Sequence, residues 1–259
     1  VKYPTTLTNP ADIPPTGKVR DKIMSNQQKV VIITGASQGI GEALVKAYRD
    51  RDFRVVATSR SIQQGGDPDI LAVAGDIADP ATADRVVKEA LAKFGRIDTL
   101  VNNAGIFTAK PFTEFTAEDF AANIGTNVAG FFHISQRAAA EMLKQGSGHI
   151  VSITTSLTDH AISNVPAVLA SLTKGGINSA TKALAIEYAA KGVRVNAVSP
   201  GVIKTPMHAP ETHDFLAALH PVGRMGEIRD IVDAVLYLET ASFVTGEILH
   251  VDGGQSAGH

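Results

Sequence analysis

The sequence predicts an α/β fold built on a doubly wound parallel sheet in a single domain. Three observations carry that expectation. From Lys29 onward, short apolar runs rich in Val and Ile alternate with longer amphipathic stretches. The runs are continuous rather than alternating, which suits strands buried on both faces of a parallel sheet. No internal repeat and no second composition regime divides the 259 residues. Strand followed by helix, repeated along a chain of this length, is the pattern of βαβ units around one core.

In chain order, residues 1–26 stand apart. They hold Pro4, Pro10, Pro14 and Pro15 and show no helical or strand periodicity, so an N-terminal extended arm is expected ahead of a domain at 27–259. The arm has no hydrophobic stretch, and no secretory leader is expected in it. Strands are expected at 30–33, 55–57, 70–74, 100–101, 150–153, 194–198 and 248–251. Helical spacing occupies 40–49, 81–94, 117–145, 170–190 and 230–238. The stretch 203–226, with Pro206, Pro210 and Pro221, breaks the rhythm and reads as a mobile insertion between a strand and a helix.

Composition removes several classes of function. Lys plus Arg is 24 and Asp plus Glu is 26, a net charge of -2, which argues against tracking nucleic acid phosphates by bulk charge. Charged residues are 19%, against a usual share of about 25%, and this leaves room for extensive burial and an oligomer interface. There is no cysteine, so disulfides, thiolate metal sites and cysteine nucleophiles are excluded, and a cytoplasmic location is the expectation. No apolar run approaches the roughly 20 residues that span a bilayer.

The strongest local signal is Thr34-Gly35-Ala36-Ser37-Gln38-Gly39-Ile40-Gly41, which follows the first strand and opens a helix. Glycine lets the backbone turn tightly and approach a ligand, and the free N–H groups of a new helix favour an anionic phosphate. Further motifs follow in order: Asn102-Asn103-Ala104-Gly105 after the fourth strand, Asn127 in Thr126-Asn127-Val128-Ala129-Gly130, Ser199-Pro200-Gly201 with Thr205-Pro206-Met207, and Val251-Asp252-Gly253-Gly254. Over residues 28–254 this set resembles the short-chain dehydrogenase/reductase family, with its Rossmann-type fold. The resemblance implies a dinucleotide held by Gly35, Ser37, Gln38, Gly39, Ile40, Gly41, Asn103, Ala104, Gly105, Lys174, Pro200, Gly201 and Thr205. It also implies a small-molecule substrate and a homo-oligomer, a tetramer or dimer, using helices such as 117–145 and 170–190. The alanines at 138–140 and at 180, 183, 185 and 189 offer close packing there, as they equally do in a core.

The nucleotide is read from the end of the second strand. Folds that bind NAD often place an acidic residue there for the ribose hydroxyls. Here the strand runs into Thr58-Ser59-Arg60-Ser61 without a carboxylate. Ser59 and Arg60 suit a 2′-phosphate, because guanidinium matches phosphate oxygens and keeps its charge. NADP(H) is therefore the preferred cofactor, with NAD(H) as the second option. Asp76 occupies the family position near adenine.

The family's site combines Asn, Ser, Tyr and Lys, and three of these four roles find residues here. Asn127 matches the asparagine, Lys174 the lysine, and Thr155 falls where the serine stands, with Ser156 as its alternate. The tyrosine has no counterpart. Ala170 stands four residues before Lys174, and no tyrosine lies between Tyr48 and Tyr188. Tyr188 itself reads as a packing residue. General acid–base catalysis contributes about 10²–10⁴-fold, roughly 3–5 kcal/mol of barrier, so another proton source is required for ordinary carbonyl reduction. A water held by Lys174 and Thr155 is one candidate, and His160 is a second. His208, His213 and His220, with Glu211 and Asp214, fit no zinc spacing, so no metal is expected. With Phe215 and Leu216 they fall in the family's substrate lid. Loss of the tyrosine also suits a rival reading, a dinucleotide-binding sensor or partner subunit without redox chemistry.

Overall fold

The computed structural model describes residues 28–258; the arm expected at 1–26 lies outside the described residues. Seven strands form one sheet: β1 (Val30–Thr34), β2 (Arg54–Ser59), β3 (Ile70–Ala74), β4 (Thr99–Asn102), β5 (Gly148–Ile153), β6 (Val193–Pro200) and β7 (Ile248–Val251). Every pairing is parallel and the order is β3-β2-β1-β4-β5-β6-β7. The helices are α1 (Gly39–Arg49), α2 (Pro80–Phe94), α3 (Ala117–Asn123), α4 (Gly130–Gln145), α5 (Val168–Tyr188), α6 (His213–Ala217) and α7 (Ile228–Thr240). The chain leaves β1 toward β2 on one side and reaches β4 on the other, so a crevice opens above the β1/β4 boundary at the carboxyl ends of the strands.

Successive strand residues point to opposite faces. Ile32, Val56, Leu100, Ile150 and Val195 pack on one face against Val86 and Ala90 of α2 and Ile134, Ala138 and Met142 of α4. Val31, Ile33, Val55, Val101, Val151 and Val198 pack on the other against Leu44 of α1 and Ile231, Val235 and Leu238 of α7. Both faces of the central strands are buried, which is why the apolar runs are continuous. The helix limits follow local chemistry. Asp79 accepts from the Ala81 amide ahead of Pro80, and α2 ends at Gly95 with φ of 76°. Thr116 and Asp119 form a capping box at the start of α3.

One expectation changes in the structure, and one open alternative is decided. The helical spacing of 117–145 is interrupted by a π-helical turn, Ile124–Ala129, between α3 and α4. A single π turn spans too few residues for side-chain spacing alone to reveal it. Ala138 and Ala139 do not form a free face for another subunit, because both are buried in the core that α4 shares with α2. Among the described residues, no helix is long and apolar enough to cross a membrane.

Candidate active site

The glycine-rich turn is clamped from the β4 side. Thr34 Oγ1 accepts from the amides of Asn103 (3.0 Å) and Ala104 (2.9 Å), and Asn103 Nδ2 donates to the carbonyls of Thr34 (3.0 Å) and Gly35 (3.1 Å). Gly35 has φ of +65°, and a Cβ on Gly41 would lie 2.1 Å from the Gly35 carbonyl oxygen, so the turn has no room for a side chain at 41. Gln38 caps α1 without a side-chain hydrogen bond, which leaves the first-turn N–H groups facing the crevice for a ligand.

A cavity of about 730 Å³ runs from this turn to the ends of β5 and β6. At the end of β2, Thr58 Oγ1 and Ser59 Oγ are buried with no hydrogen-bond partner, and both residues line the cavity beside Arg60. Buried hydroxyls without partners are costly unless a ligand satisfies them. Two hydroxyls, a guanidinium and no carboxylate at this strand end fit a dinucleotide bearing a 2′-phosphate. Asp76 also lines the cavity, and its Oδ1 accepts from the Ala78 amide at 2.9 Å. Thr205 closes over the turn, lying 3.8 Å from where a Cβ on Gly39 would stand.

The other end of the cavity carries Thr155, Ala170 and Lys174. Ala170 and Lys174 are one helical turn apart on α5 and share a face. Lys174 Nζ donates to the Ile153 carbonyl at 2.8 Å, and burial pushes its pKa down to about 8. Gly105 lets the segment after β4 press against this amine, since a Cβ there would be 3.0 Å from Nζ. Thr155 is extended and its Oγ1 accepts only a long bond, 3.4 Å, from the Leu157 amide. Ser156 is committed elsewhere, because its hydroxyl donates to Gln255 Oε1.

The structure gathers most of the residues singled out from sequence. Gly35, Ser37, Gln38, Gly39, Ile40, Ser59, Arg60, Asp76, Asn103, Ala104, Gly105, Thr155, Lys174, Pro200, Gly201 and Thr205 all line the one cavity. Two do not. Gly41 lies beneath the turn, and Asn127 sits behind the wall, where its Oδ1 accepts from the Ile106 amide (2.9 Å) and its Nδ2 donates to the Ile106 carbonyl (3.0 Å) and Thr173 Oγ1 (3.2 Å). Asn127 therefore positions the segment that Lys174 packs against. His160 does not line the cavity, and Asp159 bonds His250 (3.1 Å). Neither Tyr48, Tyr188 nor Tyr237 reaches the cavity.

The insertion is closed at its base by a bridge between Ile203 and Gly226. Its histidines do three different things. His208 lines the cavity, and burial, with His213 nearby, holds its pKa below the usual value. His213 bonds the His208 carbonyl (3.2 Å). His220 is buried, accepts from the Val202 amide through Nε2 (2.9 Å) and bonds the Leu216 carbonyl through Nδ1 (2.9 Å). Sequence reasoning passed over Thr58 and Gln255. Thr58 adjoins Ser59 and Arg60 in the sequence, whereas Gln255 has no local signal.

A family described as enoyl-(acyl carrier protein) reductase matches residues 35–256. The (2S)-[(R)-hydroxy(phenyl)methyl]succinyl-CoA dehydrogenase subunit BbsD of Thauera aromatica is 35% identical over 248 residues, covering 90% of this chain and 98% of its own. Among solved structures, ElxO with NADP bound is 30% identical with a TM-score of 0.84, covering 90% of this chain and all of its own. The 3-ketoacyl-(acyl-carrier-protein) reductase from Brucella melitensis, complexed with NADH, is 33% identical with a TM-score of 0.82, covering 89% of this chain and 99% of its own.

Proposed function

The chain belongs to the short-chain dehydrogenase/reductase family, and from that premise we propose that it is an NADP(H)-dependent oxidoreductase interconverting a small carbonyl compound and its alcohol, with a proton donor other than tyrosine. The observation that carries this reading is one cavity with phosphate-binding chemistry at one end and a hydroxyl–ammonium pair at the other. When bound, the dinucleotide supplies or accepts the hydride. The orphaned hydroxyls of Thr58 and Ser59, with Arg60, support a preference for the phosphorylated form. NAD(H) is the second option.

Thr155 donates its hydroxyl hydrogen to the substrate oxygen and polarises the carbonyl. Lys174 spends one hydrogen on Ile153 and has two left for the cavity. Where tyrosine would stand, Ala170 leaves space for a water, which Lys174 and Thr155 hold between them. That water gives its proton to the nascent alkoxide and is restored from the Lys174 ammonium. A pKa of about 8 makes this ammonium a better acid than an ordinary lysine while keeping it largely charged at pH 7. The same reading includes self-association, supported by exposed Phe132 on α4 and Leu172 and Ile186 on α5, which light scattering tests. It also includes a cytoplasmic location.

The test is NADPH oxidation by the purified protein over a panel of small aldehydes and ketones, beside the Ala170→Tyr variant. Turnover by the parent supports the proposal, with a gain of up to about 10²–10⁴-fold in the variant. Turnover by the variant alone would instead support the rival, a binding protein whose redox chemistry has lapsed. That rival has the alanine as its specific support.

A further inference from the structure

The turn after β7 enters the active-site cavity through Gln255. Asp252 builds this turn: its Oδ1 accepts from the Gly254 amide (3.0 Å), its Oδ2 from the Ser256 amide (2.8 Å) and its carbonyl from the Gln255 amide (3.1 Å). The turn drives Gln255 inward, where it is 1% exposed and lines the same cavity as Thr155. Its two amide atoms face different elements. Oε1 accepts from the hydroxyl of Ser156, a residue with no exposure, and Nε2 points at the Leu219 carbonyl at 3.5 Å. Leu219 lies in the insertion that covers the cavity, and the next residue is His220, already tied to Val202 and Leu216. A buried primary amide that finds one acceptor and one donor on separate elements locks their relative position, because leaving either unmade is costly.

We infer that Gln255 is a positioning residue: its side-chain amide withholds the Ser156 hydroxyl from the substrate, so that Thr155 is the hydroxyl presented, and holds the lid at Leu219. The inference rests on the reading of Thr155 as the reacting hydroxyl. Lid position and the choice of hydroxyl are then set by one side chain, 99 residues from Ser156. The lid wall formed by Phe215, Leu216 and Leu219 is held against that hydroxyl rather than hanging free, and this limits the substrate group that fits between them.

Hydrogen–deuterium exchange on the full chain tests this without cofactor or substrate, so its failure leaves the oxidoreductase reading standing, and failure of that reading leaves the lid result intact. The reporters are the amides of Val202, His220 and Gly223, with β1 and β4 as internal reference. Gln255→Met removes both amide bonds at similar volume, and lid protection is expected to fall at least about tenfold while the strands are unchanged. Gln255→Glu adds a pH readout that a space-filling role would not give. At about pH 5 a buried, protonated carboxyl accepts from Ser156 and donates to Leu219, as the amide does. At about pH 8 the carboxylate has no hydrogen to give and faces a carbonyl, so protection drops. Wild type at both pH values corrects for His220 on the lid, Asp252 on the turn, and Lys174 and His208 across the cavity. Wild-type protection in the methionine variant overturns the proposal. So does equal lid protection at the two pH values in the glutamate variant, even where the methionine variant fails to fold.

Discussion

The two ends of the sheet treat buried polar groups in opposite ways. At the amino ends of the strands, Glu239 Oε2 accepts from Thr99 Oγ1 (2.9 Å), His149 Nδ1 (3.2 Å) and Tyr48 Oη (3.3 Å). Asn196 Nδ2 reaches the other ring nitrogen of His149 (3.2 Å), which sets a neutral imidazole with its hydrogen on Nδ1. Three strands and two helices meet there and satisfy one another. At the carboxyl ends, Thr58 and Ser59 hydroxyls have no partner, Thr155 accepts one long bond and Lys174 has only a backbone carbonyl. The first end is built for stability and the second is left incomplete for a ligand. Substitutions at the two ends should therefore separate stability from binding.

The largest effect is expected from Glu239→Ala. It leaves the buried donors of Thr99, His149 and Tyr48 without their acceptor, so unfolding free energy should drop by at least about 3 kcal/mol, at about 1–3 kcal/mol per stranded donor, measured by denaturant titration, while the folded fraction binds NADPH as before. Acid should act at the same place. Burial holds His149 below its usual pKa, so the unfolded chain takes up the proton first and stability falls as pH drops below about 6.5. Burial pushes Glu239 up, but hydrogen bonds from His149 and Thr99 more than offset it. Its net lowering removes further stability as pH falls through the ordinary carboxylate range. A stability that is flat from neutral pH to about pH 5 would break the comparison.

At the other end, Lys174→Met should lower turnover about 10²–10⁴-fold without lowering the melting temperature. The wild-type rate of carbonyl reduction should decline as pH rises through about 8, where the ammonium gives up its proton. Thr155→Val should cost about 10²–10³-fold in kcat, with Thr155→Ser retaining the hydroxyl and most of the rate. Arg60→Ala should weaken NADPH by about 1.5–3 kcal/mol and leave NADH unchanged, as read by calorimetry. An equal loss for both nucleotides would remove Arg60 from the 2′-phosphate reading.

Much of the fold was legible because its signals are local. β3 and β7 occupy the expected spans, and α1 begins within the glycine-rich turn that announces it. The cofactor end was legible for the same reason, since Thr34 to Gly41 and Asn103 to Gly105 each form a contiguous motif. What escaped depends on partners distant in sequence. Thr155 and Ser156 are adjacent hydroxyls, and the bond to Gln255, 99 positions away, sets Ser156 apart. Asn127 is legible as a motif residue, but its partner Ile106, 21 positions away, and the π turn that aims it there are not. Glu239, His149 and Tyr48 carry no joint pattern, being up to 191 positions apart.

The central claim is that the unsatisfied end of the sheet is a working dinucleotide site with a preference for the 2′-phosphate. Calorimetric titration of the purified chain with NADPH and, separately, NADH tests it most directly. The account predicts binding of NADPH at least tenfold tighter than NADH, about 1.4 kcal/mol. Binding of neither would contradict it and leave the glycine-rich turn as architecture alone.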